Sequence, residues 1–338
     1  TVKNVRAVNA NDHEAVAAEI AEAEYIATSV GKNALTFILP VIAQGLLKRR
    51  ELHGMRPLDI IIAENIHDGA AFMKAELKKS LPEDYPIDTL VGLVETSIGK
   101  MVPIMRREDI EKDPLWIFAE SYNTLILDKK GFKNKLPESP FIQPVENIKA
   151  YVDRKLFIHN LGHASAAYFG FVQDPSLTFI WQTLEHPAVA GAVRKAMDQS
   201  AAALAREYPD DLSPSDLADH IADLLYRFRN KALGDTVYRV GKDLYRKLAK
   251  DDRLVGAMLL CVKHGLPCDG IADAVIAGTK FRAVDENGKL FKPDADFVAR
   301  EYAAGLETIL TSVCKLDPKN PAEAAVMEEL RKAAKRGG

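Results

Sequence analysis

The stretch LDIIIAEN, residues 58–65, carries five apolar side chains in a nearly unbroken run and ends on the polar pair Glu64-Asn65. Runs of that kind mark parallel strands covered on both faces, because neither face alternates with polar residues. Upstream, YIATSV (25–30) is a second strand-like run closed by Gly31. Between the two, residues 34–50 place Leu35, Ile38, Leu39, Ile42, Leu46 and Leu47 on one helical face. Downstream, a helix is expected over 69–81 and a further strand at VGLVETS, 91–97. At the start, VRAVNA (5–10) reads as a strand and 11–23 as a helix. Strands alternating with helices predict a parallel sheet whose ligands sit at the carboxyl ends of its strands.

The pattern changes near residue 137. PESPFIQP holds Pro137, Pro140 and Pro144. Proline removes backbone donors, so this segment reads as a linker or domain edge. Beyond it the periodicity is helical: about 146–170, 184–207, 213–228, 233–249, 252–264 and 298–313. Asn287-Gly288 suggests a small hairpin, and the terminal RKAAKRGG is expected to fray. The expected organisation is an incomplete Rossmann-like α/β domain over 1–140 and a mainly α-helical domain over 141–338.

A length of 338 residues favours two domains. With 45 basic and 48 acidic residues the net charge is -3, so no strong field attracts nucleic acid or an anionic membrane. No apolar run reaches the ~20 residues of a membrane span. Cys261, Cys268 and Cys314 fit neither a disulfide framework nor a zinc spacing. A reducing cytoplasm is the expected location.

The chemistry-bearing stretch is KLFIHNLGHASAAYFG, residues 155–170. On an ideal α-helix with Lys155 at zero, His159 falls at about 40°, His163 at about 80° and Asn160 at about 140°. Ala166, Ala167 and Gly170 share that arc, which suggests a cavity wall, while Phe157, Ile158, Leu161 and Tyr168 face a core. A lone helical lysine is ordinarily solvated. Burial in a cleft would lower its pKa from about 10.4 towards neutrality and make it a usable general base.

The spacing K-x4-N-x2-H followed by A-Y-x-G resembles the signature of the polyol-specific long-chain dehydrogenases. GLLKRRE near residue 45, IIIAEN near 61, RKLFIHNLGHA near 154, RVG, RKL and DRL within 239–254, and HGLP at 264–267 extend the likeness over nearly the whole chain. Within that family the chain is most similar to the mannitol-1-phosphate 5-dehydrogenase branch. The resemblance implies NAD-dependent interconversion of D-mannitol 1-phosphate and D-fructose 6-phosphate without a metal, by a monomer. It implies Lys155 as general base, Asn160 and Asn65 as hydrogen-bond donors to the reacting oxygen, and His163 holding that oxygen or orienting the lysine. His67 and His159 would be supporting residues. A related polyol dehydrogenase such as a mannitol 2-dehydrogenase, a uronate reductase, or a non-catalytic helical binding or scaffold relative are the alternatives.

No G-x-G-x-x-G occurs in the sequence. The resemblance places it ahead of Thr1, so roughly 50–60 residues carrying the glycine loop are expected to be missing, and with them the residue that separates NAD from NADP. The turn Thr28, Ser29, Val30 and Gly31 resembles the family's turn beside the nicotinamide half. Relatives carry an Asp-Arg pair where this chain has Gly99-Lys100. For a substrate phosphate, the candidates are Arg239, Lys242, Arg246, Lys247 and Arg253, since guanidinium forks suit phosphate oxygens.

Overall fold

The computed structural model describes residues 2–66, 68–103 and 105–336. The chain forms two compact units. One holds residues 1–99 with 123–151, the other 100–122 with 152–338. The expected boundary at 140/141 differs from this division, because a segment lying between two strands of the sheet in sequence packs with the helices.

The first unit is built on a five-stranded sheet: β1 (Tyr25–Thr28), β2 (Leu58–Ile62), β3 (Val91–Ile98), β4 (Leu125–Asp128) and β5 (Ile142–Val145). Spatial order follows chain order. The strands β1, β2 and β3 are parallel, with Ile60 opposite Ile26 on one side and Leu93 on the other. Strand β4 runs antiparallel to β3, and β5 parallel to β4. Leu58, Ile60 and Ile62 are sealed under Leu35, Leu39 and Leu46 of the helix Lys32–His53 and Met73 and Leu77 of Gly69–Leu77. Each such burial contributes about 1.5–3 kcal/mol.

Two buried charges organise the loops. Arg49 donates to the carbonyls of Ala21, Ala23, Arg56 and Pro57 at 2.6–3.1 Å, tying the end of helix His13–Glu22 to the start of β2. Asp59, fully buried, accepts from the backbone of Lys133 and Asn134 and from the Asn134 side chain at 2.8–3.1 Å. Its carboxylate fills the space beside Gly92, where a Cβ would lie 1.9 Å from Oδ1.

Several expectations change. VRAVNA forms no strand; Val5 is 70% exposed, and without a buried face its apolar residues have nothing to pair against. The proline-rich segment is not merely a linker, since Ile142–Val145 within it is the edge strand β5, a position where Pro144 needs no ladder donor. The predicted helix 233–249 is broken by Gly234 and Asp243, both at positive φ. Asn287-Gly288 makes a turn without flanking strands, closed by Asp285 N–H on the Lys289 carbonyl at 2.9 Å. Of RKAAKRGG, residues 331–336 do not fray but end the helix Pro321–Arg336, with Val326, Met327, Leu330 and Ala333 buried, while Gly337 and Gly338 lie outside the described residues. The sequence reading also missed the helix Asp269–Thr279.

In the second unit, the π turn Lys155–Asn160 and the helix Leu161–Gln173 that continues it pack on Pro187–Glu207, and Leu161–Gln173 also packs on Asp269–Thr279. Its small residues allow close packing: Ala166 and Ala167 are fully buried, and a Cβ on Gly170 would lie 2.2 Å from Thr183 Cγ2. Tyr168 is buried and donates to the Gly241 carbonyl at 3.0 Å. Segment 100–122 is stapled at both ends. Arg227, 6% exposed, grips Glu120 through Nε and Nη2 at 2.7 and 2.5 Å. Glu120 accepts from Met101 N–H at 2.6 Å, and Lys100 donates to the Glu120 and Tyr122 carbonyls at 2.9 and 2.6 Å.

Replacing Gly92 by alanine should drive its methyl into Asp59 and lower stability by about 1–3 kcal/mol. A fall in the urea midpoint with an unchanged slope is the expected reading; an unaltered midpoint would contradict it.

Candidate active site

Lys155–Asn160 is a π-helical turn set between two α-helical stretches. In a π turn each hydrogen bond closes from residue i to i+5, and such turns recur at functional sites. Lys155 and Asn160 are five apart, the spacing of one π-type hydrogen bond, so the wider turn narrows the angle between them. The ideal α-helix would have splayed them by about 140°. The wider turn therefore brings together two residues that the wheel separates, a feature no residue type in KLFIHN announces.

The Lys155 ammonium is half-buried. No hydrogen bond or ion pair joins it to another described residue. Burial, and secondarily the Arg253 guanidinium, hold its pKa below that of a free lysine. Arg253 in turn binds Asp252 at 2.7 Å and reaches the Asn160 carbonyl at 3.5 Å. Lys155 thus faces a cation whose own charge is engaged, and nothing holds its proton.

His163 lies along the same helix. Its ring stacks flat on Phe228, with centroids 4.7 Å apart at 7°, and His159 packs on the same phenyl at 5.5 Å. Burial, aided by Arg239, Lys247 and Arg253, pushes the His163 pKa down to about 3. Asp235 is nearby but also pairs with Arg239, so it does not recharge the imidazole. His159 is buried and held well below the usual histidine range for the same reason. Both rings are neutral near pH 7 and act as dipolar hydrogen-bonding groups. Phe228, Asp235 and the half-buried His220, whose pKa is lowered to about 3 mainly by desolvation, went unnoticed in the sequence. The period of helix Pro214–Phe228, with Leu217, Ile221, Leu224 and Phe228 inward, was the signal available for Phe228.

The five phosphate candidates do not act as one cluster. Arg246 binds Asp243 at 2.6 Å and Asp252 at 3.1 Å. Arg253 is engaged as described. Lys247 is buried, donates to the Val240 carbonyl at 2.6 Å, and is pushed down to about 7 by burial and then by Arg253 and Arg246. Arg239 and Lys242 instead line a cavity of about 1480 Å³ in the helical unit, together with Arg106, Phe118 and Tyr238. Lys242 rests on the rings of Tyr238 and Phe291 at 4.8 and 5.3 Å.

The remaining candidates belong to the sheet unit. Asn65 is exposed just beyond β2; His67 lies outside the described residues. The turn Thr28, Ser29, Val30 and Gly31 follows β1, and Gly31 at φ +87 opens the next helix. Glu64 accepts from the N–H groups of Val30 and Gly31 at 2.8 and 2.9 Å. An anion therefore already occupies these donors, so the turn suits an uncharged ring or amide rather than a phosphate. Thr28 Oγ1 is buried without a partner, and Ser29 and Val30 are exposed. Among the described residues no three His, Cys, Asp or Glu gather as metal ligands, and no helix is long and apolar enough to cross a membrane.

Residues 1–140 match the mannitol dehydrogenase Rossmann domain, and residues 147–314 the mannitol dehydrogenase C-terminal domain. The fold is similar to Pseudomonas fluorescens mannitol 2-dehydrogenase in ternary complex with NAD and D-mannitol. The TM-score is 0.68 at 19% identity, over 97% of this chain and 75% of that one. It is also similar to a D-sorbitol dehydrogenase in substrate-free form, at TM-score 0.72 and 17% identity, over 97% of this chain and 76% of the other.

Arg253→Gln should raise the Lys155 pKa, because removing a neighbouring cation favours the protonated amine. Titration of Lys155 by NMR measures this; a pKa that stays put or falls would remove Arg253 as a cause.

Proposed function

This chain belongs to the mannitol dehydrogenase family of oxidoreductases, and on that premise we propose that it is an NAD-dependent polyol dehydrogenase with Lys155 as its general base. The observation that carries the reading is the desolvated Lys155 amine, free of any carboxylate among the described residues and one π turn from Asn160. A base works best when its pKa lies near the working pH, and burial moves this lysine in that direction. The neutral amine takes the hydroxyl proton while the carbon gives up hydride. The side-chain amides of Asn160 and Asn65 donate to the oxygen as it becomes a carbonyl, stabilising its charge. Neutral His163 holds a substrate hydroxyl. NAD, when bound, would supply the hydride acceptor, and the turn Thr28 to Gly31, whose N–H groups already face the Glu64 carboxylate, would hold its nicotinamide end rather than a phosphate.

The substrates are D-mannitol 1-phosphate and D-fructose 6-phosphate, on the resemblance of the whole chain, with Lys242 and the Asp235-paired Arg239 the basic groups that line the cavity. One observation favours a second reading, unphosphorylated mannitol and fructose: Arg246 and Arg253 are committed to Asp243 and Asp252, and Lys247 to a carbonyl. The enzyme is proposed to act on small molecules as a cytoplasmic monomer, with no nucleic-acid or membrane partner. A reducing compartment suits its three buried free thiols.

Lys155→Met should leave thermal unfolding unchanged and lower NAD-linked polyol oxidation by about 10²–10⁴-fold. A loss of less than tenfold would refute the general-base role. Comparing kcat/KM for fructose 6-phosphate and fructose decides the substrate: a preference for the former supports the phosphate reading, parity or the reverse assigns the free sugar.

A further inference from the structure

Asp235 is a buried carboxylate, 6% exposed, in the helical unit. Its backbone is fixed, since its carbonyl accepts from Ile180 N–H at 2.9 Å and Val237 N–H donates to Thr178 at 2.8 Å, on either side of the bridge between Phe179 and Thr236. A buried carboxylate is costly unless charged or polar partners face it. Two do. Arg239 pairs with it from one turn further along, and His163 Nε2 lies 3.3 Å from Oδ2. Neither His163 Nε2 nor Asp235 Oδ1 makes an aligned hydrogen bond to any described group, so what links ring and carboxylate is the 3.3 Å contact of Nε2 with Oδ2. With Phe228 flat against one face of the ring, His163 has little freedom to turn. Nε2 is sealed against the carboxylate, whereas Nδ1 is not among the sealed, unpartnered atoms.

We infer that Asp235 is the positioning residue for His163: it holds the proton on Nε2, so that Nδ1 presents a lone pair and accepts a hydrogen bond from a hydroxyl of the polyhydroxy substrate. This rests on the polyol dehydrogenase reading above. The physical reason is that a neutral imidazole has two tautomers, and the group facing one nitrogen decides which nitrogen carries hydrogen. A carboxylate accepts only, so the nitrogen facing it must donate. Without Asp235 the ring could place its proton on Nδ1, and a donor would then meet the substrate where an acceptor is required.

Asp235→Leu removes the acceptor at similar volume, and Asp235→Asn keeps one carbonyl oxygen. We expect Asp235→Leu to lower kcat/KM for the polyol by about 10–100-fold, in line with losses on removing groups that orient a histidine. Asp235→Asn should recover most of it. In a His163→Asn background, Asp235→Leu should cost no more than about twofold, because the two act as one unit. Equal losses in both backgrounds, or none in either, would overturn the proposal. An activity-independent readout is the ¹⁵N spectrum of the His163 imidazole in the wild-type protein. Nε2–H supports the assignment and Nδ1–H overturns it, even if Asp235→Leu does not fold. Absence of polyol oxidation by the wild type would sink the dehydrogenase reading while leaving the tautomer question answered by the spectrum.

Discussion

An ammonium group drawn out of water with no carboxylate to keep it charged is the constraint around which the helical unit is arranged. Lysine normally escapes such a position by reaching solvent along its flexible stem. Here the π turn sets the side chain inward, and Arg253, already bound to Asp252, adds a positive field without offering a counter-ion. Both effects penalise the same protonation state. The structure spends local regularity, one widened turn in a long helix, to hold an amine ready to accept a proton rather than to shed one.

Near that amine two imidazoles are neutral. His159 and His163 share the Phe228 ring, and burial, with neighbouring cations adding to it, keeps both uncharged. Phe228 follows Arg227 at the end of its helix, and Arg227 grips Glu120. The same helix end thus orders two imidazoles on one side and anchors segment 100–122 on the other. Small residues behind the site let the helices close tightly: Gly162 leaves no room for a Cβ beside Met197, nor does Gly170 beside Thr183. The site is rigid because its floor is a packed core.

Much of this was legible in the sequence, and what was not has physical causes. LDIIIAEN announced a buried parallel strand because both its faces are covered, and Leu58, Ile60 and Ile62 are sealed accordingly. The stretch 155–163 stood out because lysine, asparagine and histidine on an apolar helix need an explanation. The π turn was invisible, since hydrogen-bond register leaves no mark in residue type. Strand β5 was hidden because proline, read as a breaker, is tolerated at a sheet edge. VRAVNA misled because β-branched residues make a strand only when a neighbour offers a ladder. The basic residues at 239–253 looked like one patch because sequence shows charges but not their partners, Asp243 and Asp252, in space. Asp235 was overlooked because its partner lies 72 positions earlier, a separation no local pattern spans.

The interleaving of the chain has a consequence for anyone dividing it. Residues 100–122 leave the sheet between β3 and β4 and are built into the helical unit through Glu120. A gene fragment starting after the proline-rich segment would keep Arg227 and Asp223 but discard Glu120, the buried carboxylate that Arg227 grips through Nε and Nη2. Losing Glu120 removes the buried ion pair that ties segment 100–122 to the helices and lowers the stability of what remains. Although two family descriptions divide the sequence into consecutive blocks, the folded molecule is not a concatenation, and its helical half cannot be excised with one cut.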